Sequence, residues 1–308
     1  VLFEHLAAPM PLTDARIPAP YRALAAEPSD GALLQLPMGW RNGFGVLGAE
    51  DTRVEWYQSA HGRPILSGNT SRNPAFKFEY FARLPLVQAV TGIEGYAAPD
   101  AATDAAARAS AAELMALWDV RYLAVNAPVA GRYPLVDTWQ ATRAYVLDVV
   151  PVDPAPRWDA DGVQIYAVQQ AAVPFPFELD LGSRATEAYR GPGWSTDEAD
   201  IAGASGIWVD GQQAELYLPL RFAPDAAQDV QITLRLQPFS YPDAPAQRVA
   251  LRLNGVALGE QPLAAGWQEV RVTAPAAATR SGLNRLTLDF STAARPLDVL
   301  PGQLMIGN

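Results

Sequence analysis

The chain of 308 residues contains no cysteine, one lysine and two histidines. Without cysteine there is no disulfide framework, no thiolate nucleophile and no cysteine-bound zinc, although this absence does not identify the compartment. The single lysine, Lys77, together with abundant alanine, is typical of a GC-rich bacterial coding bias. No run of 18 apolar residues occurs, so the sequence predicts no membrane-spanning helix of its own.

Acidic residues outnumber basic residues in this chain. The chain has 23 Lys and Arg against 33 Asp and Glu, which gives a net charge of −10. A general nucleic-acid binder needs a basic surface to displace counterions from phosphates, so we expect no nucleic-acid partner. With 49% hydrophobic residues, the chain can bury the cores of roughly two domains.

The first half mixes helical and strand patterns. The run Val120–Val125 is continuously apolar, as is typical of a strand covered on both faces, and the order of the strands predicts a mixed sheet. In chain order we predict a short helix from Pro18 to Ala25, a strand over Ala32–Leu36 and a glycine-rich loop over 39–48. Two helices follow: one is kinked near Pro85, and the other has Thr103 as N-cap and ends at Asp119. Three further strands are predicted over Val120–Val125, Ala144–Val150 and Val163–Val168, and the turn 159–162 joins the last two.

The second half reads as all-β. Short alternating runs are separated by Gly, Pro, Asn or Asp, which predicts a sandwich or jelly roll. The predicted strands are Ala214–Leu220, Val230–Leu236, Arg248–Leu253, Glu269–Thr273 and Arg285–Phe290. The proline-rich junction 173–177 separates the textures, so we predict an α+β chain with an α/β domain over residues 1–172 and a β-sandwich over 173–308.

Two turn and packing features belong to this half. Asn254-Gly255 lies between two predicted strands and predicts a type I′ hairpin turn, which needs positive φ at both residues. Trp267 is expected to pack on the sandwich core; if exposed, it would instead indicate a sugar platform.

The densest polar segment runs from Tyr57 to Arg72 and is predicted to be a loop. It offers aromatic, amide, imidazole and guanidinium groups, a mixture that sugar sites use. The candidate ligand-binding residues are Tyr57, Gln58, His61, Arg63, Asn69 and Arg72. The same side chains could instead fasten the loop to the core, and both interpretations stay open.

No catalytic or metal residue can be assigned from a motif. The carboxylates Asp197, Glu198 and Asp200, and the pair Asp159 and Asp161, are expected to form turns rather than a glycosidase pair or a calcium loop. Neither a nucleophile elbow nor a phosphate-binding or dinucleotide motif is present. We expect no cofactor.

Several stretches resemble the extracytoplasmic region of bacterial polytopic membrane glycosyltransferases of the GT-C type, which use lipid-linked sugars. Leu34-Gln35-Leu36-Pro37 resembles an acidic strand motif of that family, with Gln35 in place of the acidic residue. The segment Tyr57–Arg72 resembles the family's Tyr-Gln, His-Gly-Lys-Pro-Ile and Ser-Arg pattern, with Arg63 in place of lysine, and Val120–Val125 resembles a further family strand. Gly193-Trp194-Ser195, with Glu198, Trp208 and Asn254-Gly255, resembles a β-sandwich of the galactose-binding-like kind.

This resemblance implies an extracytoplasmic part of a larger membrane protein, which binds or positions a carbohydrate or lipid-linked sugar beside the transmembrane part of the same polypeptide. The start at Val1, without an initiator Met or signal peptide, is what a segment of a longer protein would show. Catalytic acids of that family lie between membrane helices, so none is carried over to this chain. The alternatives are a secreted carbohydrate-active hydrolase that uses Asp197 and Glu198, and a non-catalytic interaction module.

Overall fold

The computed structural model describes residues 14–28, 31–72, 74–171, 176–220, 228–280 and 282–300. Helices and strands alternate in the first half and strands prevail in the second, so the fold is of the α+β class, as predicted. None of the helices in these ranges is long and apolar enough to cross a bilayer.

The helices are α1 (Ala19–Leu24), α2 (Thr52–His61), α3 (Ala75–Arg83), α4 (Pro85–Glu94), α5 (Ala101–Leu117), α6 (Leu135–Val149) and α7 (Pro296–Val299). The strands of the first half are β1 (Ala32–Leu36), β2 (Gly39–Arg41), β3 (Val46–Gly48), β4 (Gly68–Asn69), β5 (Val120–Asn126), β6 (Trp158–Ala160) and β7 (Val163–Ala167). Those of the second half are β8 (Trp194–Ile201), β9 (Ala204–Val209), β10 (Gln213–Leu220), β11 (Val230–Leu236), β12 (Gln247–Leu253), β13 (Val256–Leu263), β14 (Gln268–Ala274) and β15 (Gly282–Phe290).

A four-stranded sheet of order β1-β5-β7-β6 forms the centre of the first half. The strands β1 and β5 are parallel, whereas β7 is antiparallel to both of its neighbours. The predicted mixed sheet is therefore confirmed. Successive residues of a strand point to opposite faces, and here both faces are covered. Leu34 and Leu123 pack with α4 and α5 in one hydrophobic cluster, and Leu33 and Tyr122 pack with α1 and α2 in another.

The prediction of a loop over 39–48 is wrong, because β2 and β3 pair there as an antiparallel hairpin. Strand β4 adds to β2 in parallel. Glycine is needed for this close pairing: a Cβ at Gly39 would lie 2.5 Å from the Glu50 nitrogen, and Gly48 has φ of +69°. The glycines that suggested a loop thus admit the close approach of two short strands.

The predicted strand Ala144–Val150 is also wrong, because these residues form the last turns of α6. The buried positions of α6 include Thr138, Thr142, Val146 and Val149, which follow a helical period. The local β-branched composition hid this period. The turn at Asp161-Gly162 consequently joins β7 to the shorter strand β6.

The ends of the other helices differ from the prediction in detail. Helix α5 begins earlier, since the Asp100 side chain caps it by accepting a hydrogen bond from the Thr103 nitrogen at 2.7 Å. The helix expected to kink near Pro85 is divided into α3 and α4, because Leu84 is extended (φ −76°, ψ 124°). The ring of a proline disfavours helical backbone geometry in the residue that precedes it, which explains the break at Leu84.

All five strands predicted in the second half are present as β10, β11, β12, β14 and β15. They form a four-stranded sheet of order β10-β15-β12-β13 and a two-stranded sheet of β11 and β14. Inward residues of both sheets, such as Leu251, Leu286, Ile232 and Val270, share one hydrophobic cluster. The prediction missed β13 and the β8–β9 hairpin.

Tyrosines connect the two halves. The rings of Tyr80 and Tyr217 meet edge to face with centroids 5.8 Å apart, and the Tyr80 hydroxyl donates to the Ala188 carbonyl at 2.8 Å. The Tyr189 hydroxyl hydrogen-bonds to Glu113. The domain division at 172/173 stays a prediction, and residues 173–175 of the predicted junction lie outside the described residues.

Asn254 provides a test of the predicted hairpin. Asn254 and Gly255 have φ of 51° and 86°, which agrees with the predicted turn. The Asn254 amide donates to the Ala278 carbonyl (2.9 Å) and to Asn284 Oδ1 (2.8 Å), and its oxygen accepts from the Arg285 nitrogen (3.0 Å). We expect Asn254→Ala to lower the free energy of unfolding by about 2 kcal/mol in chemical denaturation.

Asn254→Gly is the matched control, because glycine keeps the positive φ and loses only the hydrogen bonds. It should be more stable than Asn254→Ala and less stable than the wild type. Wild-type stability of Asn254→Ala would show that neither the turn nor the amide network stabilises the fold.

Candidate functional site

The composition of the polar segment Tyr57–Arg72 predicts a single loop, and this prediction is wrong. The first part of the segment is the end of α2, which terminates at Gly62 with φ of 66°. An extended stretch then leads to β4. The six candidate residues therefore do not lie together: three lie in the core, and three lie at the surface or beside a cleft.

Three of the six lie in the core. Tyr57, His61 and Arg63 are only 6%, 8% and 5% exposed. The ring of Tyr21 on α1 packs against Tyr57 with centroids 4.9 Å apart and stacks on His61 at 5.6 Å. These contacts fasten α2 to α1.

Arg63 and His61 also bind the backbone. The Arg63 guanidinium donates to the carbonyls of Leu24 (3.3 Å) and Glu27 (2.8 Å) and lies 5.1 Å from the centre of the Tyr122 ring. The Arg63 nitrogen donates to His61 Nδ1 at 3.2 Å. Burial, with the nearby charge of Arg63, lowers the pKa of His61 to about 4. The imidazole is therefore neutral at neutral pH and accepts a hydrogen bond inside the fold.

The other three candidates face outward or line a cleft. A cleft of about 430 Å³ is lined by Gln58 together with Trp40, Thr70 and Lys77. The Gln58 amide donates to the Arg63 carbonyl at 2.9 Å. Asn69 lies on β4, where its backbone nitrogen donates to the Glu55 carboxylate, and Arg72 is exposed. A ligand at this segment stays a prediction, with Gln58 beside the cleft and His61 and Arg63 inside the core.

Glu94 is a buried carboxyl group that sequence reasoning did not identify. It ends α4 and is 2% exposed. Its Oε1 accepts a hydrogen bond from the Met38 nitrogen at 3.0 Å, whereas its Oε2 has no partner among the described residues. Burial raises the pKa of Glu94 to about 8, although the Met38 hydrogen bond and the charge of Arg132 oppose this. Glu94 is therefore protonated in the folded chain at neutral pH.

A larger groove of about 1880 Å³ lies in the second half. Its walls are formed by the β8–β9 hairpin, the end of β11 with residues 237–247, the β13–β14 turn and the segment that follows β15. No single stretch of sequence forms this groove, because its four walls are brought together by the folding of distant strands.

Aromatic rings from two of these walls, the β8–β9 hairpin and residues 237–247, meet in the groove. The Trp208 and Phe239 rings are 6.0 Å apart at 84°, and those of Phe239 and Tyr241 are 5.5 Å apart at 41°. All three side chains are half-buried. Neither the Trp208 indole nor the Tyr241 hydroxyl hydrogen-bonds to a residue in the described ranges. We call Trp208, Phe239 and Tyr241 the aromatic wall.

Two further tryptophans of the groove are fixed by the fold. The Trp194 indole donates to the Glu215 carbonyl at 2.7 Å, and the Trp267 indole donates to the Ile201 carbonyl at 2.9 Å. The Arg235 guanidinium lies 5.2 Å from the centre of the Trp267 ring. Trp267 is thus half-buried and held against the β8–β9 hairpin, and it lies outside the hydrophobic cluster of the second half, on which it was predicted to pack.

Of these three residues, the sequence points only to Trp208, through a resemblance, and not to Phe239 or Tyr241. These two residues lie in a proline-flanked stretch that follows β11. Exposed aromatic residues in a segment without strand periodicity favour a binding surface. That pattern could have identified Phe239 and Tyr241, although it gives no information about their contact with Trp208 on β9.

The acidic clusters are distributed between turns and a strand. Asp161 lies in the β6–β7 turn and accepts a hydrogen bond from the Ala19 nitrogen at 2.8 Å. The turn prediction for Asp197 and Glu198 is wrong, because both lie on β8 and the turn begins at Ala202, whose φ is 49°. In the described part of the chain, no group of three or more side chains is arranged to hold a metal ion.

His61 and Arg72 separate the two interpretations of the segment. His61→Ala should lower the free energy of unfolding by about 2 kcal/mol, because it removes a buried ring that packs on Tyr21. Arg72→Ala, at an exposed position, should change it by less than about 0.5 kcal/mol. Thermal and chemical denaturation of both variants measure these changes. An unaltered stability of His61→Ala would argue against the core role derived from its burial.

Glu94 predicts a pH dependence of stability. Between pH 4.5 and 8 the unfolded chain loses the Glu94 proton while the folded chain keeps it, so the free energy of unfolding falls as the pH rises through this interval. Relative to Glu94→Gln, the wild type should lose roughly 3 to 5 kcal/mol across this interval. Denaturant titrations of both proteins from pH 4 to 9 test this. Parallel curves would contradict a carboxyl group that is buried and neutral.

Comparisons with known proteins assign no family. No family model matches the sequence, and no curated protein matches it. One similar solved structure is that of a family 35 carbohydrate binding module from an environmental isolate, with 20% identity, a TM-score of 0.23, and coverage of 33% of this chain and 77% of that chain. A TM-score of this size establishes neither the fold nor a ligand.

Proposed function

We propose that this chain is a non-catalytic, carbohydrate-binding part of a larger extracytoplasmic membrane protein. The groove of the second half is the binding site in this proposal. The observation that carries it is the aromatic wall, because half-exposed rings beside polar groups are what a sugar site needs. Rings contact the C–H surface of a pyranose, while neighbouring polar groups bind its hydroxyls.

Polar groups of the groove complement the wall. Glu178 and Asp210 offer carboxylate oxygens as acceptors, and Gln237 and Ser240 offer an amide and a hydroxyl. The indole N–H of Trp208, which has no hydrogen-bond partner among the described residues, adds a donor. This combination of few directional groups with a large apolar surface favours a polyhydroxylated ligand over a purely apolar one.

The wider context of the proposal comes from the sequence. In this proposal the chain lies on the extracytoplasmic face of a bacterial membrane, and the resemblance of Leu34–Pro37 and Tyr57–Arg72 to GT-C glycosyltransferases is what supports it. The transmembrane part of the same polypeptide would then hold the catalytic residues, and this chain would position a carbohydrate or lipid-linked sugar. The proposal also includes the division at 172/173 and a galactose-binding-like jelly roll in the second half, which the shared core of two sheets supports.

A hydrolase is the second candidate, because Glu198 and Asp180 line the same groove. A glycosidase would need two such carboxyl groups about 5 to 10 Å apart across a bound sugar. Release of reducing sugar from a polysaccharide, abolished in Glu198→Gln, would favour this candidate. Binding without turnover favours the first. An interaction module would show neither.

Trp208→Ala tests the binding proposal. We expect this variant to bind soluble polysaccharides about tenfold more weakly than the wild type, since a lost stacking contact is worth about 1.4 kcal/mol. Affinity electrophoresis through gels that contain xylan, mannan or glucan measures the loss. The variant should remain folded, because the Trp208 indole forms no hydrogen bond within the described residues.

Trp56→Ala is the matched control, because Trp56 is 53% exposed but lies on α2, in the other half of the chain. It should migrate like the wild type in every gel. Unretarded migration of the wild type in all gels, or equal retardation of the wild type and Trp208→Ala, would overturn carbohydrate binding at this wall. An open reading frame that encodes many membrane spans before this segment would support the membrane context, whereas a signal peptide there would favour the hydrolase.

A further inference from the structure

We infer that the groove takes a single extended chain of neutral sugars and rejects anionic glycans. This inference rests on the proposed function and specifies its ligand class. Three features of the groove carry it: its size, the angles between the rings of its aromatic wall, and the sign of its charge.

The size indicates a ligand of several sugar rings. At about 1880 Å³ the groove exceeds the roughly 300–1,000 Å³ of sites that enclose a small molecule. Its walls extend from the β8–β9 hairpin to the segment after β15. A monosaccharide would contact only part of these walls, and so would leave the remaining apolar surface in water.

The ring angles exclude a flat ligand. A planar array of chains, such as a crystalline polysaccharide surface, needs aromatic rings that lie in one plane. The Trp208 and Phe239 planes differ by 84°, and those of Phe239 and Tyr241 by 41°. These rings contact a ligand from different directions, which fits one twisted chain lying within the groove.

The charge of the lining selects against anions. Among the residues that the structure describes, five carboxylates and two guanidinium groups line the groove. The carboxylates are those of Glu178, Asp180, Glu198, Asp210 and Asp298, and the guanidinium groups are those of Arg235 and Arg295. The Arg235 guanidinium lies over Trp267, where it packs on the ring. This excess of negative charge inside a cleft repels uronate and sulfate groups.

Carboxylates are at the same time suitable partners for neutral sugars. An ionised carboxylate only accepts hydrogen bonds, and a sugar hydroxyl can donate to it. In an anionic glycan, carboxylate or sulfate groups replace some of these hydroxyl donors, and these groups only accept hydrogen bonds. The groove therefore discriminates by both charge and hydrogen-bond polarity.

The test uses matched pairs of soluble polymers: dextran, xylan, mannan and galactan, each with its carboxymethylated derivative. We expect the neutral member of every pair that binds to bind at least tenfold more tightly in isothermal titration at low salt. Binding should strengthen from disaccharide to hexasaccharide fragments of that polymer. The protein should remain in the supernatant with crystalline cellulose.

A charge-neutralised variant gives a readout that a purely structural role would not move. In the double variant Glu178→Gln, Asp210→Asn, the ratio of the affinity for a neutral polymer to that for its carboxymethylated derivative should fall. This ratio should also fall in 1 M NaCl, where the screening length is about 3 Å. A preference that neither change alters would overturn the electrostatic argument.

The outcomes distinguish the inference from the proposed function. Binding of a carboxymethylated polymer as tight as that of its neutral parent would overturn the inference and leave carbohydrate binding intact. Affinity that is independent of chain length would overturn the extended ligand. If no polymer binds, and Trp208→Ala behaves as the wild type does, both the inference and the proposed function fail.

Discussion

The burial of β1 and β5 on both faces is the constraint on which the first half depends. A parallel pair cannot leave a face in water without exposing its apolar residues, so helices have to cover both sides. Helices α1 and α2 cover one face and α4 and α5 the other. The polar residues of α2 are consequently used to attach it. His61 and Arg63 contact Tyr21, Leu24 and each other within this layer. Their remaining polar atoms, His61 Nε2 and Arg63 Nε and Nη1, are buried without a hydrogen-bond partner among the described residues.

Patterns that depend on neighbours in sequence were predicted well. The strands of the second half alternate because one face of each packs on a shared core, and Asn254-Gly255 determines a turn through its own backbone preferences. The wrong predictions depend on distant partners. Three of the residues 144–150 are valines, yet 144–149 are helical because α6 buries residues at a helical spacing. Strands β2 and β3 are only three residues each; they are held by pairing with one another and, for β2, with β4.

The candidate site shows the same limit. A polar, aromatic segment such as 57–72 has the composition of a binding loop, but its burial depends on α1, which lies about 40 residues earlier in the chain. Composition cannot distinguish a guanidinium that binds a ligand from one that binds the carbonyl of Leu24. The groove presents the converse case. Its aromatic residues are separated by more than a strand in sequence, and their convergence requires the pairing of β8 with β9 and the folding of the second half.

Tryptophan illustrates how context, rather than residue type, decides between packing and binding. Trp194, Trp208 and Trp267 all line the groove, but two of them donate their indole N–H to backbone carbonyls that the fold supplies. Those two hold the walls in place, whereas the Trp208 indole forms no hydrogen bond within the described residues and remains available to a ligand.

The position of the groove relative to the first half is determined largely by one strand, β10. Along this strand Leu216 and Leu218 point into the core of the second half, and Tyr217, between them, packs against the cluster of the first half. The alternation that every strand possesses thus lets β10 serve two cores at once. Leu216 also lines the groove. The residue next to the Tyr80–Tyr217 contact therefore belongs to the lining of the groove, which links the tyrosine contacts between the halves to the proposed binding surface.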